Sequence, residues 1–238
     1  MESVANLERA KQLFGDNFLG PDEVRCLIEK FEPEFSFNEV PQLHYSWDVL
    51  EKCAKDGYIL VMGVPEIFPQ NRRLTIRALR DKFGYDPDVA EPCFYNQDWY
   101  LAESFIDEPL PLGWYLIKKD VMEDTRAEMP LDILSKGVKF PSAILCTYTF
   151  FVYYFAKNKY LWWHDFVWCC DTDHNGDRIY VGKYNDIDGV NKNGFSIHRH
   201  LALRPCYGAV TVLWFIYETN FLFLFSLAVI VLFFYGQP

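Results

Sequence analysis

Polar residues in the last third of the chain have part of the spacing of a calcium-binding loop. Asp171, Asp173 and Asn175 alternate along the sequence, and a glycine and Asp177 follow them. Side-chain oxygens with this spacing form the first half of a helix–loop–helix calcium site. The second half does not match, because Gly182 stands at the position that needs a bidentate Glu. The motif therefore favours a polar turn whose side chains accept hydrogen bonds from nearby backbone N–H groups, with calcium binding as the alternative.

Two histidines and a cysteine further along the chain have a spacing that a zinc site can use. His198 and His200 would lie on one face of a strand, and Cys206 follows six residues later. No Cys-x-x-Cys pair and no acidic fourth ligand accompany them. We therefore expect a half-exposed strand whose basic side chains point outward, and no bound metal.

A pair of cysteines is a candidate nucleophile. Cys169 and Cys170 follow His164 and Asp165, but adjacent residues of a strand point to opposite faces, so at most one thiol can face a site. Thiols without an activating base usually pack as small hydrophobic groups. The sequence therefore favours a non-enzymatic protein, with a cysteine-dependent enzyme as an alternative.

Composition and net charge limit the functional classes. With 23 Lys and Arg against 33 Asp and Glu, the formal charge is −10, which argues against a broad nucleic-acid-binding face. Phosphate-loop, dinucleotide, serine-hydrolase and zinc-protease motifs do not occur, so enzymes of those classes lack support. The first residues show no secretory signal pattern, and seven scattered cysteines fit a reducing compartment. We therefore expect a cytoplasmic body.

Helices and strands in the first half of the chain are predicted from hydrophobic spacing. Apolar residues at helical intervals, with Pro21 at one helix start and Ser46 as a cap at another, indicate helices. Continuous or alternating apolar residues indicate strands. The predicted helices cover residues 4–14, 21–30, 46–54 and 75–83, and the predicted strands cover residues 58–64 and 114–118.

The second half is predicted to contain a central helix and an antiparallel sheet. Residues 140–156 carry no charge, but their tyrosines, threonines and serine make them a poor membrane span, so we expect a buried helix. Residues 166–170 and 178–184 have strand composition and flank Asn175-Gly176, which is a strong hairpin signal. These strands would position the polar residues of the calcium-like motif.

The end of the chain is unusually apolar. The last twenty residues contain no charged side chain, and twelve of the eighteen residues from 219 to 236 are Leu, Ile, Val or Phe. Insertion of these residues into a bilayer is favourable by roughly 4–7 kcal/mol. We therefore predict that residues 209–238 form a transmembrane anchor helix. Two alternatives stay open, namely a buried helix and a stretch translated past a lost stop codon.

The hairpin segment resembles a motif of uncharacterised proteins from candidate-phylum bacteria. The string from Cys170 to Tyr184 is similar to their Asp-x-Asp-x-x-Gly-x-Arg-x-x-Val-Gly-x-aromatic block. Upstream strings have counterparts in the same order, so the resemblance covers about residues 5–190. These upstream strings are residues 13–23, 58–64, 94–100, 113–118 and 141–143.

The resemblance implies a C-type-lectin-like fold, related in shape to formylglycine-generating enzymes. Some of the similar proteins look like targets of diversity-generating retroelements, in which a C-terminal stretch displays variable side chains on a rigid sheet. This chain departs from that pattern after Tyr184, where the expected Asp- and Arg-rich variable stretch is absent. We expect an α+β protein with N-terminal helices, a buried central helix and a C-terminal antiparallel sheet, followed by the apolar helix. The expected regions are an N-terminal helical region at 1–57, the lectin-like domain at 58–208 and the anchor at 209–238.

The predicted function is non-enzymatic binding of a protein or small-molecule ligand by a domain attached to a membrane. The last sheet and its loops would form the binding surface, because polar residues alternate there. A membrane-inserted effector or structural protein, whose apolar tail is the active part, is the second hypothesis. We expect no cofactor and no nucleic-acid partner. The predicted ligand-binding residues are Asp171, Asp173, Asp177, Arg178, Tyr180, Asn185, Asp186, Asp188, His198 and Arg199.

Overall fold

The protein has a mixed α+β fold, as the sequence predicts. The computed structural model describes residues 2–37, 39–184, 193–199 and 203–213. Within these ranges the helices are α1 Glu2–Phe14, α2 Pro21–Ile28, α3 Trp47–Lys55, α4 Ile76–Phe83, α5 Pro130–Ser135 and α6 Ala143–Lys157. The strands in the same ranges are β1 Phe18–Leu19, β2 Tyr58–Gly63, β3 Glu66–Ile67, β4 Arg72–Arg73, β5 Gly113–Lys118, β6 Phe166–Thr172, β7 Arg178–Tyr184, β8 Gly194–His198, β9 Tyr207–Gly208 and β10 Val212–Leu213.

Helices of the N-terminal half begin at residues that accept a hydrogen bond from a free backbone N–H group or, as with proline, that carry no N–H group. Ser46 Oγ accepts a hydrogen bond from Val49 N–H at the start of α3, and Thr75 Oγ1 accepts one from Ala78 N–H at the start of α4. Pro21 opens α2 at a position where a backbone N–H would have no helical partner. Because these signals are local, α1 to α4 lie within a few residues of their predicted positions.

A four-stranded sheet with the order β1-β2-β5-β10 lies in the main hydrophobic core. β1 is parallel to β2, and the other neighbouring strands are antiparallel. The apolar run predicted as a buried strand forms β2, in which residues 59–63 are all buried. Residues of α1, α2 and α3 belong to the same core as this sheet. The predicted helical region at 1–57 and the domain that follows it therefore share one core.

The second four-stranded sheet has the order β8-β7-β6-β9 and contains the predicted hairpin. β6, β7 and β8 pair antiparallel, as predicted, but β9 is parallel to β6, so the sheet is mixed and not purely antiparallel. Gly176 lies in the β6–β7 turn with a φ of +86°, which glycine adopts without strain. Side chains alternate between the two faces of the sheet. One face, with Val167 and Val181, belongs to the main core. The other face, with Phe166 and Trp168, forms a second, smaller core with Ile133 of α5 and its neighbours.

The uncharged stretch at residues 140–156 contains α6, and the prediction of a buried central helix is confirmed. Every residue of α6 from Ala143 to Tyr153 is buried. Ser142 Oγ accepts a hydrogen bond from Leu145 N–H at the start of the helix, and Asn158 ends the helix in the left-handed conformation. Contacts of α6 with β1 of the first sheet and with β6 and β7 of the second join the two sheets.

The first part of the predicted anchor belongs to the folded body. Ala209, Val210 and Val212 are fully buried, and β10 pairs with β5 in the first sheet. Residues 214–238, which contain most of the predicted anchor, lie outside the described residues. Across the part of the chain that the structure describes, none of the helices is long and apolar enough to cross a bilayer.

Candidate functional site

A groove of about 400 Å³ lies between the start of α5 and the β6–β7 turn, and we call it the α5–hairpin groove. Met129 and Leu131 line it from the α5 side and are 50% and 72% exposed. Exposed large apolar side chains that lie beside polar groups often mark a binding surface. The lining residues of the α5–hairpin groove are Met129, Pro130, Leu131, Trp168, Gly176, Asp177 and Arg178.

Trp168 of β6 lines the groove and carries a buried polar group that has no partner among the described residues. Its side chain is fully buried, and its ring packs against Tyr180 with the centroids 5.3 Å apart. Its Nε1 makes no hydrogen bond within the described chain. A buried donor without an acceptor costs about 1–3 kcal/mol, and such groups are rare in native proteins. A ligand acceptor that reached this N–H from the groove would remove that cost.

Arg178 supplies a positive charge to the groove. Its Nη1 donates hydrogen bonds to the carbonyl oxygens of Cys169 at 3.0 Å and Cys170 at 3.1 Å, and its guanidinium lies 5.6 Å from the ring centroid of Phe140. These contacts fix the position of the side chain without neutralising it, since no carboxylate of the described residues lies within 4.0 Å. The groove therefore combines apolar walls, a buried indole and a fixed cation.

Asp171 has a structural partner. Its Oδ2 accepts a 2.6 Å hydrogen bond from the N–H of Ala143, the first residue of α6. Burial raises the pKa of Asp171, while this N–H and the positive charge of Arg178 oppose the rise. The carboxylate therefore holds the start of the central helix against β6, and it does not line the α5–hairpin groove.

Asp173 organises the β6–β7 turn. Its Oδ1 accepts hydrogen bonds from the N–H groups of Asn175 at 2.9 Å and Asp177 at 2.8 Å, and its Oδ2 accepts a 2.6 Å bond from Arg199. Burial disfavours the charged carboxylate, but these N–H groups and the guanidinium outweigh it and hold the pKa of Asp173 below its ordinary value. The aspartate thus makes the backbone hydrogen bonds that the motif predicts.

Glu103 joins the turn from a distant part of the chain. Its side chain is 6% exposed, and its carboxylate accepts a 2.9 Å hydrogen bond from His174 N–H and lies 2.7 Å from His174 Nδ1. Glu103, Asp173 and His174 could together offer three ligands to a metal ion. However, Arg199 Nη1 lies 2.6 Å from Asp173 and 3.6 Å from Glu103. A metal ion would have to displace this guanidinium, which already supplies the positive charge.

Tyr180 and His198 form an aromatic stack inside the fold. Their rings lie 5.4 Å apart with an interplanar angle of 20°, and Gln97 Nε2 lies 3.3 Å from His198 Nδ1. Burial lowers the pKa of His198 to about 4, so the imidazole is neutral at pH 7. The partner His200 of the considered zinc site lies outside the described residues.

The two neighbouring cysteines point to opposite faces of β6, as predicted. Cys169 is buried and Cys170 is exposed. Burial raises the pKa of Cys169 well above its ordinary value. Desolvation by the surrounding groups, followed by the charge of Asp171, raises the pKa of Cys170 to about 11. Both side chains are therefore protonated at neutral pH, and a thiol is a much weaker nucleophile than a thiolate.

The predicted ligand-binding residues fall into three groups. Asp177 and Arg178 line the α5–hairpin groove. Residues held by contacts within the fold are Asp171, Asp173, Tyr180, His198 and Arg199. Residues outside the described part of the chain are Asn185, Asp186 and Asp188. The sequence-based prediction misses Met129 and Leu131, because no local signal indicates that α5 lies beside the hairpin.

The chain was compared with known families, proteins and structures. No family model, curated protein or solved structure matches the chain. The functional interpretation therefore depends on the geometry of the site and on the resemblance of the hairpin segment.

Proposed function

We propose that the chain is a non-enzymatic ligand-binding protein and that its ligand occupies the α5–hairpin groove. The observation that carries this proposal is the buried indole of Trp168, which lines the groove and whose N–H has no partner within the described chain. Sites for small molecules combine an apolar lining with a few polar groups and have volumes of roughly 300–1,000 Å³. At about 400 Å³, the groove falls within this range.

The lining defines the chemistry of the proposed ligand. Met129 and Leu131 would contact an apolar part, and Arg178 with the indole N–H of Trp168 would bind an anionic or carbonyl group. The ligand is therefore an amphipathic molecule, or an amphipathic segment of a protein, that carries a hydrogen-bond acceptor.

The state of the thiols supports binding over cysteine-based catalysis. A nucleophilic cysteine needs an activating base or a lowered pKa, whereas burial raises the pKa of Cys169, and desolvation by neighbouring groups with the charge of Asp171 raises that of Cys170. Arg178 donates hydrogen bonds to the backbone carbonyl oxygens of these residues, and its positive charge only partly offsets the rise in the pKa of Cys170. We therefore retain the cysteine-dependent enzyme only as the less supported alternative.

The proposal includes a C-type-lectin-like fold for this α+β domain. It is supported by the ordered resemblance that ends in the segment Cys170–Tyr184 and by the late sheet, in which β6, β7 and β8 pair antiparallel. Membership among diversified binding proteins can be tested by sequencing the native locus. An imperfect copy of codons 162–208 that differs at adenines, together with a reverse-transcriptase gene, would support it. An intact locus with neither feature would leave a binding domain of fixed sequence.

We also propose that residues 214–238 attach the domain to a membrane. The support is the composition of residues 219–236. Twelve of these eighteen residues are Leu, Ile, Val or Phe, and none of the eighteen is charged. A groove on the folded body would then bind its ligand close to the membrane surface.

Binding in the groove can be tested with naphthalene-2-sulfonate, a small aromatic anion. In ¹H–¹⁵N spectra of the full chain, the indole resonance of Trp168, assigned from Trp168→Phe, should shift on titration. Leu131→Asp should weaken binding at least about tenfold, because it replaces an apolar wall with a repelling charge. Val89→Asp is the matched control, since Val89 is 81% exposed and does not line the groove. An unshifted Trp168 resonance, or equal losses in both variants, would contradict the proposal.

A further inference from the structure

A second groove, of about 230 Å³, shares no lining residue with the α5–hairpin groove. We call it the β2–β3 groove, because the loop between these strands forms one side of it. Its apolar lining includes Phe35, Phe37, Phe68 and Leu112. The rings of Phe35 and Phe37 meet edge to face with their centroids 4.6 Å apart. The groove thus offers aromatic surfaces of a size that suits a single ring or a short aliphatic arm.

Two glutamates line this apolar groove and have no cationic partner among the described residues. Glu39 and Glu66 belong to the lining, and no Lys or Arg of the described residues lies within 4.0 Å of either carboxylate. Glu39 is exposed and Glu66 is half-buried, and carboxylates that line a cleft attract an ion of the opposite charge. The two side chains therefore give the groove a negative potential at its apolar lining.

The nearest arginines in the sequence are directed to other groups. Arg73 stands opposite Glu66 in the β3–β4 pair, but its guanidinium lies 4.0 Å from Glu108. Arg72 lies over the ring of Phe31, with 5.3 Å from its Cζ to the ring centroid. Because cross-strand neighbours of opposite charge usually pair, this arrangement leaves Glu66 available to a cation from outside the chain.

We propose that the β2–β3 groove binds a small organic cation that carries one apolar arm, such as an arylalkyl ammonium. The apolar arm packs against the phenylalanine rings, and the ammonium group pairs with Glu39 and Glu66. A volume of about 230 Å³ limits the ligand to the size of one ring with a short chain. The apolar C-terminal segment of this chain is a poorer occupant, because residues 214–238 include no Lys or Arg that could pair with the two carboxylates.

The proposal can be tested with three ligands of nearly equal shape. The full chain would be titrated with 2-phenylethylammonium, 2-phenylethanol and 3-phenylpropionate, with backbone NMR shifts at Val64 and Leu112 as the readout. The ammonium ion should bind, the alcohol should bind about fivefold or more weakly, and the anion should not bind. Equal binding of the alcohol and the ammonium ion would overturn the proposal, as would shifts confined to residues outside this groove.

Charge variants locate the binding and provide controls. Glu39→Gln and Glu66→Gln should each weaken ammonium binding about two- to fivefold, whereas Glu34→Gln, at an exposed position outside the lining, should not. Leu112→Arg should abolish binding by placing a competing cation in the groove. Val40→Arg is its control, because Val40 and Leu112 are both 40% exposed and only Leu112 lines the groove. Wild-type affinity in Leu112→Arg would overturn the proposal.

Discussion

Arg199 donates a 2.6 Å hydrogen bond to Asp173, whose side chain is completely buried. The same Nη1 lies 3.6 Å from Glu103 Oε1, and the guanidinium stacks over the ring of Trp99, with 4.5 Å from its Cζ to the ring centroid. One cation therefore neutralises two carboxylates that come from different segments. Arg199 directly follows β8, and its contacts therefore link the end of that strand to the β6–β7 turn and to the segment around residue 103.

Removal of the Arg199 charge should strongly destabilise the fold. Arg199→Met keeps an apolar stem over Trp99 but leaves Asp173 and Glu103 without their cation. A buried charge that has lost its partner is much more costly than an exposed one. We expect the free energy of unfolding, measured by urea titration, to fall several times more than in the control described next.

The control for this variant is an exposed ion pair. Arg9 and Glu51 lie 3.1 Å apart with side chains 55% and 53% exposed. Arg9→Met should change the free energy of unfolding by only about 0.2–1 kcal/mol, because solvent screens such pairs. Equal losses in Arg9→Met and Arg199→Met would show that the Arg199 cluster contributes no more than a surface pair.

The stability of the fold should depend on the protonation of Asp173 in acid. The N–H groups of the turn and Arg199 hold its folded-state pKa below its ordinary value. The stabilisation is therefore complete well above the unfolded pKa of about 3.9 and is lost as the pH falls through the lower folded value. The difference in free energy of unfolding between wild type and Asp173→Asn should be largest near pH 7 and should shrink below about pH 4. A difference that is constant from pH 7 to pH 3 would contradict this linkage.

The two parts of this cluster differ in how far the sequence predicts them. Asp173 and the turn that it organises follow from local spacing, because Asx residues accept hydrogen bonds from N–H groups two and four positions later. Glu103 lies 71 positions from its partner His174, and a pairing over that distance leaves no periodic or turn signal. Its burial is fixed only when the segment around residue 103 packs against the hairpin.

The same distinction applies to the fold and to the groove. Capped helices and the apolar strand β2 are predicted because caps and hydrophobic spacing act over a few residues. The α5–hairpin groove cannot be predicted in this way, because it requires α5 to pack beside Trp168. The exposed Met129 and Leu131 also follow no periodic pattern. The burial of Val212 in a sheet cannot be predicted from local sequence either, because its partner Ile117 is far away in the sequence.

Loss of the Asp171 carboxylate should weaken the start of the central helix. Its Oδ2 accepts the N–H of Ala143 at 2.6 Å, and helix caps of this kind contribute about 0.5–2 kcal/mol. Asp171→Ala should lower the free energy of unfolding by about this amount, as measured by thermal or urea unfolding. Asp171→Asn, which keeps an acceptor oxygen, should lose less. Equal losses in the two variants would contradict a role for the acceptor oxygen and would show that the contact acts by charge alone.

Alkylation of Cys170 should be slow at neutral pH. Because its pKa is raised to about 11, the thiolate fraction at pH 7 is very small, and iodoacetamide should react at least about tenfold more slowly than with free cysteine. The rate, followed by mass spectrometry, should rise up to pH 10, and Cys170→Ser should remove the signal. Cys169 should react only in unfolded protein. Rapid modification of either thiol in the folded protein at pH 7 would revive the cysteine-dependent alternative.

Charges in the middle of the C-terminal apolar segment should prevent membrane attachment. A Lys at the centre of a membrane helix costs about 2.5–3.5 kcal/mol, against the roughly 4–7 kcal/mol by which the apolar residues favour insertion. Leu227→Lys combined with Ile230→Lys should therefore move the full chain from the membrane fraction to the soluble fraction after centrifugation. Val89→Lys, at a surface position 81% exposed, should leave the distribution unchanged. Recovery of the wild-type chain in the soluble fraction would contradict the proposed attachment. Growth arrest or dye leakage that occurs with the wild-type segment and not with the lysine variant would favour the membrane-effector hypothesis.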